Sequence, residues 1–304
     1  MIRESIIPKT KEEWLSLRTK DLTSTDVSAL FGISPYSTAF ELWHRKKEGT
    51  IIELDPNERM EWGNYLQDSI AKKFADAEKM TIREKNEYIR IPELRIGSSF
   101  DFEIQSDQNR IFEIKNVDRS VYADQWIEEE GKIEAPPHIE MQVQHQLLVS
   151  GCKSAVLGVL VGGNKGILIN RKADALIHSA ILDKAVEFWA SIDANTPPVP
   201  DFTKDAEIIS KVYGYSEIGK VFDARGNTRL QDMMLLYKEA REREKQAGEE
   251  KDKIKAECLT MIGDAEKVWG DNFKISAGMI GPCPISYVRQ GYRSFKVTFK
   301  NAVK

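Results

Sequence analysis

Near Thr81 the apolar pattern of this chain changes period, and that change limits it to folds that lay helices against strands. Before it, Trp62, Leu66, Ile70, Phe74 and Ala77 recur every three or four positions and predict a helix over residues 59–79. After it come short segments rich in β-formers, over residues 87–91, 97–104 and 110–117, with Ser106-Asp107-Gln108-Asn109 as a hairpin-type loop. A helix over 138–149 follows Pro136-Pro137 and stops at Gly151. Strands over 154–161 and 166–170 then flank Gly162-Gly163, and a helix over 174–192 leads to Pro197-Pro198-Val199-Pro200. Upstream, Thr10 caps a helix carrying Trp14, Leu17 and Arg18, Thr23-Ser24-Thr25-Asp26 caps residues 27–31, and a further helix covers 38–47. Mixed strands flanked by helices predict an α/β (α+β) core.

The proline cluster divides the chain into a first domain over residues 1–202 and an extension over 203–304. Within the extension, residues 238–257 carry seven acidic and seven basic side chains inside a helical pattern running from 229 to about 268, bent or broken at Gly248. Strands over 273–303 follow, bearing Tyr287, Arg289, Tyr292, Arg293, Phe295, Lys296, Phe299 and Lys300. Aromatics interleaved with cations either stack on bases or bury one face of a small sheet. The extension is read as a DNA-binding, oligomerisation or partner-binding region. Net charge is −4, with 44 basic against 48 acidic residues, which argues against a non-specific nucleic-acid coat. Cys152, Cys258 and Cys283 fit neither a disulfide framework nor zinc spacing, and no apolar run is long enough for a membrane helix. With no signal-like segment at Met1–Ser5, a cytoplasmic protein is expected.

The chemistry concentrates in the predicted hairpin. Side chains alternate along a strand, so Glu113 and Lys115 share a face while Phe112 and Ile114 face the core, and Asp101 on the neighbouring strand lies beside them. Two close carboxylates repel unless a cation lies between them, and oxygen ligands suit Mg²⁺ or Mn²⁺. A lysine beside such an ion orients an attacking water and stabilises a phosphorane, which are the needs of phosphodiester hydrolysis. The same three residues on an exposed hairpin would be a solvated face with weak ion pairs. His44, His138, His145 and His178 share no ligand spacing, and Gly162-Gly163-Asn164-Lys165-Gly166 lacks the ending of a phosphate loop.

An ordered series of motifs extends this reading. It runs through Leu17-Arg18, Leu22-Thr23-Ser24-Thr25-Asp26-Val27, Phe31-Gly32-Ile33-Ser34-Pro35-Tyr36 and Glu41-Leu42-Trp43, then Trp62-Gly63-Asn64-Tyr65-Leu66-Gln67. Asp101, Glu113-Ile114-Lys115 and Gln142-Val143-Gln144-His145-Gln146 complete it. Over roughly residues 10–200 the series resembles the YqaJ-type phage recombinases, relatives of lambda exonuclease in the PD-(D/E)xK nuclease superfamily. The resemblance implies a restriction-endonuclease-like core with a mixed central sheet flanked by helices, here with a C-terminal helical and small β extension. It implies Asp101, Glu113 and the Ile114 carbonyl as metal ligands, with Gln67 at a second metal site. Lys115 is implied as the catalytic lysine, and Gln142 as a residue orienting water or the metal shell. Arg18, with Thr23 or Thr25, matches the region holding a terminal 5′-phosphate or the DNA backbone.

The implied activity is Mg²⁺-dependent exonuclease digestion of linear double-stranded DNA, 5′ to 3′, with Mn²⁺ as a substitute ion. Its product is single strand for an annealing protein, and the implied assembly is a homotrimer. A repair or restriction endonuclease and a catalytically decayed DNA-binding scaffold are the alternatives. Two positions depart from the family pattern. Its Ser-Pro-Asp-Gly is here Ser99-Phe100-Asp101-Phe102, and Gln67 stands where a glutamate is usual, which weakens a second cation site.

Overall fold

The computed structural model describes residues 1–49, 58–105, 110–284, 286–288 and 291–299. The Ser106–Asn109 loop and the cations Arg289 and Lys300 of the tail lie outside the described residues. The chain forms two compact units, Met1–Lys211 and Val212–Lys304. Asp205, beyond the proline cluster, stays with the first unit because its buried carboxylate accepts a 2.5 Å hydrogen bond from Thr38.

The first unit begins with β1 (Glu4–Ile6), α1 (Lys11–Lys20), α2 (Val27–Leu30), α3 (Ala39–Glu48) and α4 (Glu58–Glu78). Thr10 and Thr38 cap α1 and α3 through the amides of Glu13 and Glu41, as their hydroxyls suit them to do. Next come β2 (Ile82–Glu84), β3 (Tyr88–Ile91), β4 (Ile96–Ser98), β5 (Phe102–Ile104) and β6 (Arg110–Val117). Then follow α5 (Arg119–Gln125), β7 (Ile127–Glu129), β8 (Lys132–Glu134), α6 (Pro137–Ser150), β9 (Ser154–Val161), β10 (Lys165–Lys172), α7 (Ala175–Asp193) and α8 (Ala206–Val212).

The central sheet has the order β10-β9-β6-β5-β2. Its inner pair β6 and β9 is parallel, in the register Glu113↔Leu157, and its other pairings are antiparallel. This is the mixed sheet flanked by helices that the sequence predicts. On one face α4 lays Ile70 and Ala71 against Phe102, Phe112, Ile114 and Val156. On the other, α6 lays Val143 and Leu147 against Ile111 and Ala155. Even positions of β6 therefore face α4, and odd positions, including Glu113 and Lys115, face α6. Gly158 on β9 is where the Phe112 ring crosses, since a Cβ there would lie 2.8 Å from it. A second sheet, β1-β3-β4, packs with α2, α3, α6 and α7 around Leu22, Leu42, Trp43, Ile91 and Trp189.

Several expectations need correction. The predicted strand over 97–104 divides into β4 and β5, which belong to different sheets, and Asp101 lies in the bend before β5 rather than on a strand. In α4, Trp62 and Ala77 are exposed, and Ala71 and Ala75 complete the buried stripe instead. β1, β2, α5, β7, β8 and α8 lie outside the elements that the sequence predicts.

The second unit contains α9 (Thr228–Ile262), β11 (Lys267–Trp269) and β12 (Lys274–Ser276). Helix α9 runs unbroken through Gly248 and buries none of its residues, as its alternating charges require. It stops at Gly263, whose φ of 59° closes the helix, so β11 occupies positions expected to be helical. Of the strands expected over 273–303, the described residues form β12, which pairs with β11; the other described residues there form no strand.

Candidate active site

The site forms where β5 stops short of its partner. The β5–β6 ladder begins at Phe102↔Phe112, which leaves the Ile114 amide without a strand neighbour on that side. The Asp101 carboxylate takes the vacant position and accepts from Ile114 N at 2.8 Å. Gln67 on α4 also hydrogen-bonds Asp101. The glutamine that departs from the family pattern therefore does stand at this aspartate.

Glu113 lies one residue beyond the end of the β5 ladder, beneath α6, and is 2% exposed. This burial removes the reading of the three residues as a solvated hairpin face. Its Oε1 accepts from Lys115 Nζ at 2.7 Å and from Gln142 Nε2 at 2.6 Å, and its Oε2 accepts from Gln146 Nε2 at 2.7 Å. Positions 142 and 146 are one turn apart, so one helix face delivers an amide to each carboxylate oxygen. Gln146 belongs to the same motif, and its spacing of one turn from Gln142 is the sequence signal for its role. Gln144, pointing elsewhere, bonds Lys172 O and Asp174 N.

Burial and the adjacent Glu113 charge push the Asp101 carboxyl up to about 7, against the lowering influence of Lys115, the Ile114 amide and Gln67. Burial works against the Lys115 charge, but Glu113 and Asp101 outweigh it and hold the ammonium above its usual range. Two carboxylates thus share one lysine, and the residual negative charge favours a cation. Among the described residues no third His, Cys, Asp or Glu joins them. The donor set is then two carboxylates with neutral backbone and amide oxygens, which fits a hard divalent ion that keeps part of its water shell. Tyr36 and His138 lie at the edge of this site, rings 5.8 Å apart and edge-on. Burial, followed by the Lys115 charge, lowers the His138 pKa.

A second cluster is built by α1 and the turn before α2. Arg18 donates to Thr25 Oγ1 at 3.2 Å and stacks 4.6 Å over the Trp14 ring. Among the described residues it forms no ion pair with a carboxylate. Thr25 is exposed, whereas Thr23 is 1% exposed and commits its amide and hydroxyl to Asp26 Oδ2. Thr23 thus braces the turn, and of the two hydroxyls expected at the DNA only that of Thr25 lies on the surface. Asp26 also meets Arg45 at 2.6 Å and Lys46 at 2.7 Å. Burial opposes its charge, but Lys46, Arg45 and Arg18 together hold its carboxyl well below the usual range.

Residues 13–153, which hold both clusters, match the profile of the YqaJ-like viral recombinase domain. This segment is similar to that domain. The protein YqaJ of Bacillus subtilis (strain 168) is 29% identical over 271 residues, covering 85% of this chain and 83% of YqaJ. That alignment is longer than Met1–Lys211, so the likeness to YqaJ continues into the second unit. Among solved structures, an alkaline exonuclease from Laribacter hongkongensis is 17% identical with a TM-score of 0.48, covering 61% of this chain and 94% of its own. A phage-related exonuclease from Haemophilus somnus 129PT is 11% identical with a TM-score of 0.42, covering 58% and 96%. The matched segment ends at Lys153, immediately before β9, the strand that pairs with the site-bearing β6. Among the described residues no helix is long and apolar enough to cross a membrane.

Proposed function

We propose that this protein is a divalent-metal-dependent DNA exonuclease that digests linear duplex from its ends, 5′ to 3′. The observation that carries the reading is half-buried Asp101 and buried Glu113 sharing Lys115, inside a segment similar to the YqaJ-like recombinase domain. Asp101, Glu113 and the Ile114 carbonyl would hold Mg²⁺, with Mn²⁺ as a substitute, and Gln67 would offer only a neutral oxygen to a second ion. When bound, the ion supplies Lewis acidity toward the scissile phosphate. Lys115 orients the attacking water and stabilises charge on the phosphorane. Gln142 holds one oxygen of Glu113 and adds a donor toward that water. Arg18 and Thr25 receive the terminal 5′-phosphate, for which a guanidinium fork and a hydroxyl are suited. The single strand left behind serves an annealing protein, and a homotrimer would keep the enzyme on one duplex. Light scattering that gives a monomer at working concentration removes the trimer.

The test is Mg²⁺-dependent digestion of linear and circular duplex DNA side by side, with Glu113→Ala as control. Loss of only the linear substrate, abolished in the variant, supports the reading. Cutting of both substrates makes the protein an endonuclease. Cutting of neither, with DNA still bound, makes it a binding scaffold.

A further inference from the structure

We infer that Trp14 is a positioning residue that fixes the end-recognition cluster against the carboxylate site and thereby supports both turnover and preference for 5′-phosphorylated ends. This rests on the nuclease reading above. Trp14 is half-buried on α1 and is held from two sides. Its ring face carries the Arg18 guanidinium at 4.6 Å, one turn along the same helix. Its indole Nε1 donates to Ser99 Oγ at 2.7 Å. Ser99 lies two residues before Asp101, in the link between β4 and β5, and its carbonyl accepts from Gln146 Nε2 at 3.4 Å. That same nitrogen donates to Glu113 Oε2 at 2.7 Å. Side chains and one short backbone segment thus connect Arg18 to both acidic residues, and Trp14 is the member that touches the two clusters at once.

A role in stability alone would not need this arrangement. Helix α1 is already anchored by buried Leu17, by the Thr10 cap, and by Lys46 Nζ donating to Arg18 O at 2.7 Å. Removing the indole N–H leaves these anchors in place and takes from the segment leading to Asp101 its lateral hold. Removing the ring as well takes from the Arg18 guanidinium the face that limits its rotamers. A terminal phosphate bound by Arg18 would no longer sit at a fixed distance from the carboxylates.

Three variants separate these effects. Trp14→Phe keeps the ring face and removes the donor, Ser99→Ala removes the acceptor, and Trp14→Leu removes both ring and donor. The readouts are kcat and KM on linear duplex with 5′-phosphate or 5′-hydroxyl ends, together with the melting temperature. Trp14→Phe and Ser99→Ala should each lower kcat about fivefold, the size of one lost hydrogen bond, with KM for DNA unchanged. The double variant should be no slower than either single one, because both break the same bond. Trp14→Leu should in addition cut the phosphate-to-hydroxyl rate ratio about fivefold, toward that of Arg18→Ala. Full kcat in Trp14→Phe, or additive losses in the double variant, overturns the inference. If Trp14→Leu does not fold, the Phe and Ala variants and their double decide alone. An unmutated protein indifferent to the 5′ end defeats the end-recognition reading itself. Loss of preference in Arg18→Ala with preference intact in the Trp14 variants defeats only the role of Trp14.

Discussion

Lys46→Met tests the brace beneath Arg18 and Thr25. The side chain is 4% exposed, and its ammonium donates to Arg18 O at 2.7 Å and Asp21 O at 2.6 Å while pairing with Asp26 at 2.7 Å. Breaking a buried pair from one side generally costs about 3–5 kcal/mol. Two features reduce the cost here. Asp26 keeps Arg45 and both donors of Thr23, and the lysine is itself a strained cation, its pKa lowered because burial outweighs Asp26. The two partners differ because Asp26 faces three cations, whereas Lys46 faces one carboxylate and two like charges. A loss near 3 kcal/mol is therefore expected, or roughly 6–12 °C in melting temperature for a unit of this size. The assay is urea unfolding of both proteins, with equal slopes confirming that the same surface is exposed. The gap also has a pH signature. A carboxyl held below its unfolded value stabilises above that value and loses its contribution as pH falls beneath it, so the gap should narrow below about pH 4. A loss under about 1 kcal/mol, or a gap indifferent to acid, would refute the assigned brace.

His145 predicts a second, higher acid limb. Burial, with smaller contributions from His178 and Lys46, lowers its pKa to about 4 from 6.5, against Asp26 and the Leu22 backbone. The unfolded chain then binds the extra proton first, so stability is full above pH 6.5 and falls as pH drops toward 4; on the order of 2 kcal/mol goes by pH 5, and His145→Leu should flatten that limb in unfolding curves. Gly158→Ala should destabilise by about 1–3 kcal/mol and slow cleavage, because its new methyl displaces Phe112 and with it the strand bearing Glu113; a melting temperature unchanged from the parent's would contradict this. Lys115→Ala should lower kcat on the order of a thousandfold while gel-shift affinity for duplex stays the same, and retained cleavage would end its assigned role.

Much of this site could be read from residue order, and what escaped has identifiable causes. Long elements such as α4, α6, β6, β9 and α7 announced themselves through period and caps. β1 and β2 are three residues each, too short to display a period, and exist only because β3 and β5 offer them edges. Alternation along β6 placed Glu113 and Lys115 on one face correctly but could not say that α6 covers that face. Only the packing of α6 turned a surface motif into a buried one, and only then did Gln146 acquire a partner. Thr23 and Thr25 are indistinguishable as letters, and Asp26 separates them by claiming the hydroxyl of the first. Trp62 fitted a helical stripe yet is exposed, since the stripe on α4 turns through Ala71 and Ala75 toward the Phe112 face.

Because β6 lies between β5 and β9, the carboxylate site is assembled from segments made at well-separated moments of synthesis. The β5–β6 hairpin can form as soon as residue 117 leaves the ribosome, bringing Asp101 and Glu113 together with no protein cover on the far side. Their amide partners on α6 follow 29 and 33 residues after Glu113, and the strand that closes the other edge of β6 comes later still. Until Val161 emerges, the nascent chain carries β6 with one strand edge open, a state prone to pairing with a neighbour's edge. Docking of β9 closes a long-range contact across this gap, and a chain released before it would present the bare edge of β6 to its neighbours.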